Sequence, residues 1–178
     1  MENKIIKAEI IHKARAFGLY KEKWQLVNGR VSTFSIIHHP GSVAIVPLLD
    51  DDKIVMEYQF RASVKANIWE IPAGTLEIGE EAKECAKREL IEEIGYQAEK
   101  IIPLGEILLA PGYSDEKMKL FLAEGLTPCD ASPDADEIIQ AVPISIDKVI
   151  TMIKDGEILD AGTIVALFKF FSIRGIEI

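Results

Sequence analysis

From Glu80 to Ile94 the chain contains neither proline nor glycine and consists mostly of Glu, Ala, Lys, Arg and Leu. Such residues lose little side-chain freedom in a helix, and Gly95 follows where a left-handed cap would close it, so the segment predicts a helix. What surrounds it limits what it can pack against. Ahead of it, Ser42 to Leu49 and Lys53 to Phe60 read as strands joined by the turn Asp50-Asp51-Asp52, and Ile68 to Ile71 as a short strand stopped at Pro72. After it, Lys100 to Leu109, Lys117 to Ala123 and Ile138 to Pro143 read as strands, followed by helices over Ile146 to Asp155 and Ala161 to Ile173. Asp160 or Thr163 is placed to cap the last helix.

The start of the chain differs. Lys4 to His12, Ala14 to Val27 interrupted by Gly18, and Val31 to His38 are β-rich, with Asn28-Gly29 as a hairpin signal and Pro40-Gly41 as the stop. We therefore expect a small antiparallel module over residues 1–40 and a main domain over 41–178. A chain of 178 residues with 48% hydrophobic composition can bury a substantial core.

Charge and composition exclude several classes of function. A net charge of −9 without a basic stripe opposes nucleic-acid binding. No apolar run reaches the roughly 18 to 20 residues of a membrane span, and Met1-Glu2-Asn3-Lys4 does not open like a secretory signal, so a cytoplasmic protein with no membrane partner is expected. Cys85 and Cys129 lack disulfide-scaffold or CxxC spacing and are expected to be reduced thiols.

The predicted helix also carries chemistry. At ~100° per residue, Glu93 lies ~40° from Glu89 around the helix axis and Glu92 ~60° to the other side. Three carboxylates on one face repel in water unless cations sit among them, and hard oxygen donors of this kind suit Mg²⁺ or Mn²⁺. A solvated acidic face is the plainer reading of the charge pattern alone. Such ions would also let a negative protein tolerate an anionic substrate.

Gly74-Thr-Leu-Glu-Ile-Gly-Glu80, seven residues, then Arg88-Glu89-Leu90-Ile91-Glu92-Glu93-Ile94-Gly95-Tyr96 resembles the Nudix signature, G-x5-E-x7-R-E-U-x-E-E-x-G-U, at every fixed position. The resemblance implies an α/β/α sandwich around a mixed sheet. It implies Glu89, Glu92, Glu93 and the carbonyl of Ala73 as metal ligands, Glu92 and Glu93 serving catalysis, with Arg88 orienting the glutamates and Gly74 and Glu80 supporting the loop. Gln59-Phe60-Arg61, Trp69-Glu70-Ile71-Pro72-Ala73-Gly74 and Pro111, sixteen residues past Gly95, resemble the ADP-ribose pyrophosphatase branch. That branch implies Mg²⁺-dependent hydrolysis of ADP-ribose to AMP and ribose 5-phosphate, with Arg61, Glu70, Pro111 and Glu116 as substrate contacts. It further implies a homodimer through the N-terminal module, whose Tyr20, Trp24 or Phe34 could stack on adenine. The same residues are compatible with a hairpin packing role. A general base is expected from the acidic loop Asp134-Ala135-Asp136-Glu137, with Glu137 ahead of Asp136. His12, His38 and His39 have no ligand spacing relative to the glutamates and enter no proposed step. Other nucleoside diphosphate derivatives, such as GDP-mannose or a dinucleotide, remain open as substrates. A non-catalytic nucleotide sensor is disfavoured because every carboxylate of the signature is present.

Overall fold

A computed structural model describes residues 2–131 and 138–178. The chain forms two compact units, Met1–Gly41 with Leu108–Lys117, and Ser42–Ile107 with Met118–Ile178. The segment Leu108–Lys117, expected within the main domain, thus clusters with the N-terminal strands.

In the first unit, β1 (Lys4–Lys13), β2 (Gly18–Gln25) and β3 (Val31–His38) form an antiparallel sheet in the order β1-β2-β3. The Asn28-Gly29 signal marks the β2–β3 turn: Gly29 adopts φ +83, Gly29 N–H donates to Leu26 O, and Asn28 Oδ1 accepts from Arg30 N–H. The second strand is shorter than expected because its pairing with β1 starts only at Gly18 and ends at Gln25. Every residue of β1 is exposed, including Ile5, Ile6, Ile10 and Ile11. Leu108–Lys117 folds as a loop along the end of β3: Ser114 forms a parallel bridge with Ile37, Ile37 N–H donates to Tyr113 O, and Asp115 N–H donates to Ile37 O.

In the second unit, β4 (Ser42–Asp50) is central to a sheet ordered β10-β5-β4-β9-β8, built with β5 (Lys53–Arg61), β8 (Tyr96–Leu108), β9 (Lys117–Pro128) and β10 (Ile139–Ser145). β6 (Ala66–Glu70) pairs with β5 and β7 (Ala73–Thr75) with β4. β4 is antiparallel to β5 and β7 but parallel to β9, so the sheet is mixed. From Val43 to Val46 the side chains of β4 are fully or almost fully buried, as a strand covered on both faces requires. Val43 and Ile45 pack in one cluster with Cys85, Ala86, Leu90 and Ile94 of α1 (Ala82–Ile94). α3 (Ala161–Arg174) also packs on β4 and buries Ala166, Leu167, Phe170 and Phe171, while α2 (Ile146–Lys154) packs on β10. The result is the expected α/β/α sandwich around a mixed sheet. No described helix is long and apolar enough to cross a membrane.

Among the departures from expectation, three have identifiable reasons. α1 begins at Ala82, not Glu80, because Glu81 is the extended N-cap residue and the Glu80 side chain turns back to accept from Glu77 N–H. β10 continues past Pro143 to Ser145, which an edge strand tolerates because a missing N–H there need not break a ladder. β7 was not anticipated: three residues around a glycine carry no periodic signal, and only pairing with β4 defines them.

Candidate metal-dependent hydrolase site

The site is built where β7 passes the middle of α1. Burial of Ala82, Cys85, Ala86, Leu90 and Ile94 fixes the rotation of the helix, and Leu90 alone contributes about 2 kcal/mol by leaving water. That rotation carries Glu89 and Glu93 inward, to 8% and 7% exposure, and leaves Glu92 at the margin. Gly95, in the left-handed conformation, caps the helix by donating to Ile91 O.

Arg88 organises the acidic face. Its Nη1 lies 2.7 Å from Glu89 Oε1 and 2.9 Å from Glu92 Oε2. Its Nε and Nη2 donate to the two Glu80 oxygens at 2.9 and 3.1 Å, and Nη2 also reaches Thr75 O and Cys85 Sγ. One guanidinium thus ties the loop before the helix to two carboxylates on it, a fork geometry that a lysine would not reproduce. The Arg88 hydrogen bonds hold the Glu80 carboxyl down at about 2, and the same bonds raise Arg88 itself. Burial pushes the Cys85 thiol up to about 12, so it stays protonated and does not serve as a nucleophile.

Ala73 N–H donates to Glu93 Oε2 at 3.0 Å. Gly74 is required by contact: a Cβ there would lie 1.7 Å from Glu89 Oε1 and 2.0 Å from its carboxyl carbon. The missing side chain is the space that the Glu89 carboxylate fills. Ala73, Gly74, Glu80, Arg88, Glu89, Glu92 and Glu93 are therefore brought together. Among the described residues no three His, Cys, Asp or Glu side chains already converge in ion-binding geometry. The donor set nevertheless fits a hard divalent cation: the oxygens of Glu89 and Glu92 already converge on one cationic nitrogen.

Arg61 and Glu70 form a separate pair, with Nε 2.8 Å from Glu70 Oε2. Burial raises the Glu70 carboxyl while Arg61 pulls it back down. Glu57 stands opposite Glu70 in the β5–β6 register, and it and Gln59 are buried. Pro111, Glu116 and Trp24 belong to the first unit. There Trp24 Nε1 donates to Glu22 Oε2 at 2.8 Å, so the polar edge of the indole is occupied within its own sheet. Phe34 is exposed, and Tyr20 sets its ring edge-on to His38. Glu137 and Asp136 lie outside the described residues.

Sequence reasoning missed the Glu22–His38–Asp115 network. Its available signal was the period-2 spacing of Tyr20, Glu22 and Trp24, which places a lone carboxylate between two aromatic residues on one face. Thr75 O and Cys85 Sγ, both acceptors for Arg88, had no signal, since the first is a backbone atom and the second occupies a position that the signature leaves unspecified.

A mixed-sheet sandwich with a carboxylate-faced helix behind a glycine loop defines a hydrolase of the Nudix class, and comparison with known proteins agrees. Residues 38–164 match the NUDIX domain model. The chain is 37% identical over 169 residues to the ADP-ribose pyrophosphatase of Bacillus subtilis (strain 168), covering 94% of this chain and 91% of that protein. It is 38% identical over 168 residues to the methanol dehydrogenase activator of Bacillus methanolicus, covering 93% and 91%. A crystal structure of an ADP compounds hydrolase superposes with a TM-score of 0.85 at 23% identity, covering 99% of this chain and 98% of that one, which supports the fold. The chain belongs to the Nudix family.

Proposed function

We propose that this Nudix hydrolase cleaves the pyrophosphate of ADP-ribose to AMP and ribose 5-phosphate. The observation that carries the chemistry is the buried carboxylate face of α1, with Gly74 making room for Glu89. The substrate follows from extended similarity to the Bacillus subtilis ADP-ribose pyrophosphatase.

Glu89, Glu92, Glu93 and the carbonyl of Ala73 would hold Mg²⁺, with Mn²⁺ as a substitute. Bound there, the metal supplies charge neutralisation of the pyrophosphate oxygens and activation of the attacking water. The chain's own residues do the rest. Arg88 holds Glu89 and Glu92 in position, and Ala73 N–H holds Glu93. Glu137 accepts the proton of the water that attacks one phosphorus. The bond from that phosphorus to the bridging oxygen breaks, and the oxygen leaves on the other phosphate. Arg61 and Glu70 bind the phosphates and ribose, and Pro111, Glu116 and Trp24 complete the substrate contacts. The exposed isoleucines of β1 support a homodimer through the N-terminal sheet, since an apolar strand open along its length is a pairing surface. A cytoplasmic setting fits the substrate class.

Product analysis of the purified protein with Mg²⁺ against ADP-ribose, GDP-mannose, NADH, FAD and diadenosine polyphosphates, with and without EDTA, tests this reading. Metal-dependent AMP from ADP-ribose, preferred over the others, is the expected result. Preference for another compound would replace the substrate, and no turnover of any would refute hydrolysis. A second reading, activation of a dehydrogenase, rests on the 38% identity to the Bacillus methanolicus protein. Stimulation of methanol dehydrogenase by the added protein would support it.

A further inference from the structure

His38 stands between two carboxylates. Its Nε2 lies 2.8 Å from Glu22 Oε1, and its Nδ1 lies 2.5 Å from Asp115 Oδ2. An ionised carboxylate only accepts hydrogen bonds, so both ring nitrogens must donate, and the geometry specifies an imidazolium. Glu22 is 2% exposed on β2, and its second oxygen takes the Trp24 indole N–H, so this charge is held within the sheet. Asp115 is on the 108–117 loop, and its other oxygen accepts from His39 N–H at 2.9 Å.

The neighbouring histidine is wired differently. His39 Nδ1 accepts from Gly41 N–H at 3.1 Å, so that nitrogen carries no proton, and it stands 3.7 Å from Glu116 Oε1. The groups facing His38 are therefore Glu22 and the Tyr20 ring from β2 and Asp115 from the loop, with His39 and Glu116 beside them. Beyond His38, the loop is tied to β3 by Ile37 N–H to Tyr113 O and Asp115 N–H to Ile37 O.

We propose that His38 is a positioning residue: as an imidazolium shared by Glu22 and Asp115 it clasps the 108–117 loop to the strand end and thereby sets where Pro111 and Glu116 stand. The substrate role of these two residues rests on the function proposed above, whereas the clasp rests only on geometry within this unit. The Asp115 and Glu22 hydrogen bonds raise the pKa of His38 above its ordinary 6.5. A raised folded-state value means the clasp is at full strength below 6.5 and is released as pH rises through the folded value. Glu116 follows Asp115 directly in the chain, so release loosens the substrate loop and leaves the carboxylates of α1 as they are.

The test uses the full chain and three readouts. Side-chain ¹⁵N NMR of His38 should show both nitrogens protonated beyond pH 6.5. Amide exchange of Ile37 and Asp115, corrected for intrinsic rates, should lose about tenfold protection as His38 deprotonates, the size of one charge-assisted hydrogen bond. His38→Gln should show that loss at every pH and raise KM for ADP-ribose about tenfold with kcat changed less than twofold. Asp115→Asn, which keeps an acceptor for His39 N–H, should do the same and lower the His38 pKa. A neutral His38 below pH 6.5, unchanged amide protection in His38→Gln, or intact KM in a variant whose loop has loosened would each overturn the proposal. NMR and exchange need no substrate, so failure of the ADP-ribose reading leaves the clasp still decided.

Discussion

Replacing Gly74 by alanine probes the site through a single methyl group. The added Cβ would sit 1.7 Å from Glu89 Oε1, and real Cβ atoms essentially never come within 3.0 Å of another heavy atom, so the carboxylate must retreat by more than about 1 Å. Gly74 is not in the left-handed region, which removes backbone strain as a competing cause. Retreat costs Glu89 its 2.7 Å bond to Arg88, and the alternative, a shift of β7, costs pairing of Gly74 with Val43. A charge-assisted bond lost from a mostly buried carboxylate is worth about 2 to 3 kcal/mol. For a chain of this size that lowers Tm by roughly 4 to 12 °C. A misplacement of about 1 Å in a catalytic group lowers kcat about 100-fold. Gly79→Ala is the control: a Cβ there meets nothing within 4 Å, and its φ of +80 introduces strain without touching Glu89. Thermal melts and Mg²⁺-dependent AMP release on both variants check this. Near-wild-type kcat in Gly74→Ala, at a metal requirement like that of the parent, would refute the claim that Glu89 needs this space.

Further expectations follow from the ties around α1 and α3. Glu80, held at about 2 against an ordinary 4.5, adds stability above pH 4.5 that is lost as pH falls towards 2. Urea melts across that range should show the gap between wild type and Glu80→Gln narrowing on acidification, and a constant gap would refute the linkage. Arg88→Met leaves Glu80, Glu89 and Glu92 without their shared cation and should cost about 3 kcal/mol in EDTA, partly restored by Mg²⁺, as read by calorimetry. Asp160→Ala removes the acceptor for Thr163 N–H at the start of α3 and should cost about 1 kcal/mol in a denaturant melt, with catalysis retained.

The parts of this molecule legible in the sequence are those where one residue type does one physical task repeatedly. The helix was visible because its interior excludes glycine and proline, and its acidic face because Glu89, Glu92 and Glu93 recur at helical spacing. Asn28-Gly29 announced its hairpin for the same kind of reason. Contacts made by backbone atoms or by long-range pairing were not legible. Nothing local in Ala73-Gly74-Thr75 says that it joins β4, or that Thr75 O will receive a guanidinium. The loop 108–117 read as part of the main domain because it lies far along the chain, yet its hydrogen bonds run to Ile37, His38 and His39. His38 and His39 looked alike as adjacent letters, and only their partners separate a doubly donating ring from one that accepts.

The measurement closest to the central claim is Mg²⁺-dependent hydrolysis of ADP-ribose by Glu93→Gln beside the wild type. The amide oxygen still accepts from Ala73 N–H and the side chain keeps its shape, so the fold should be retained, while the carboxylate charge is gone. Loss of turnover with the fold retained is the predicted result. A variant that hydrolyses ADP-ribose at the wild-type rate, with the same metal requirement, would contradict the assignment of the α1 carboxylates as the catalytic metal site.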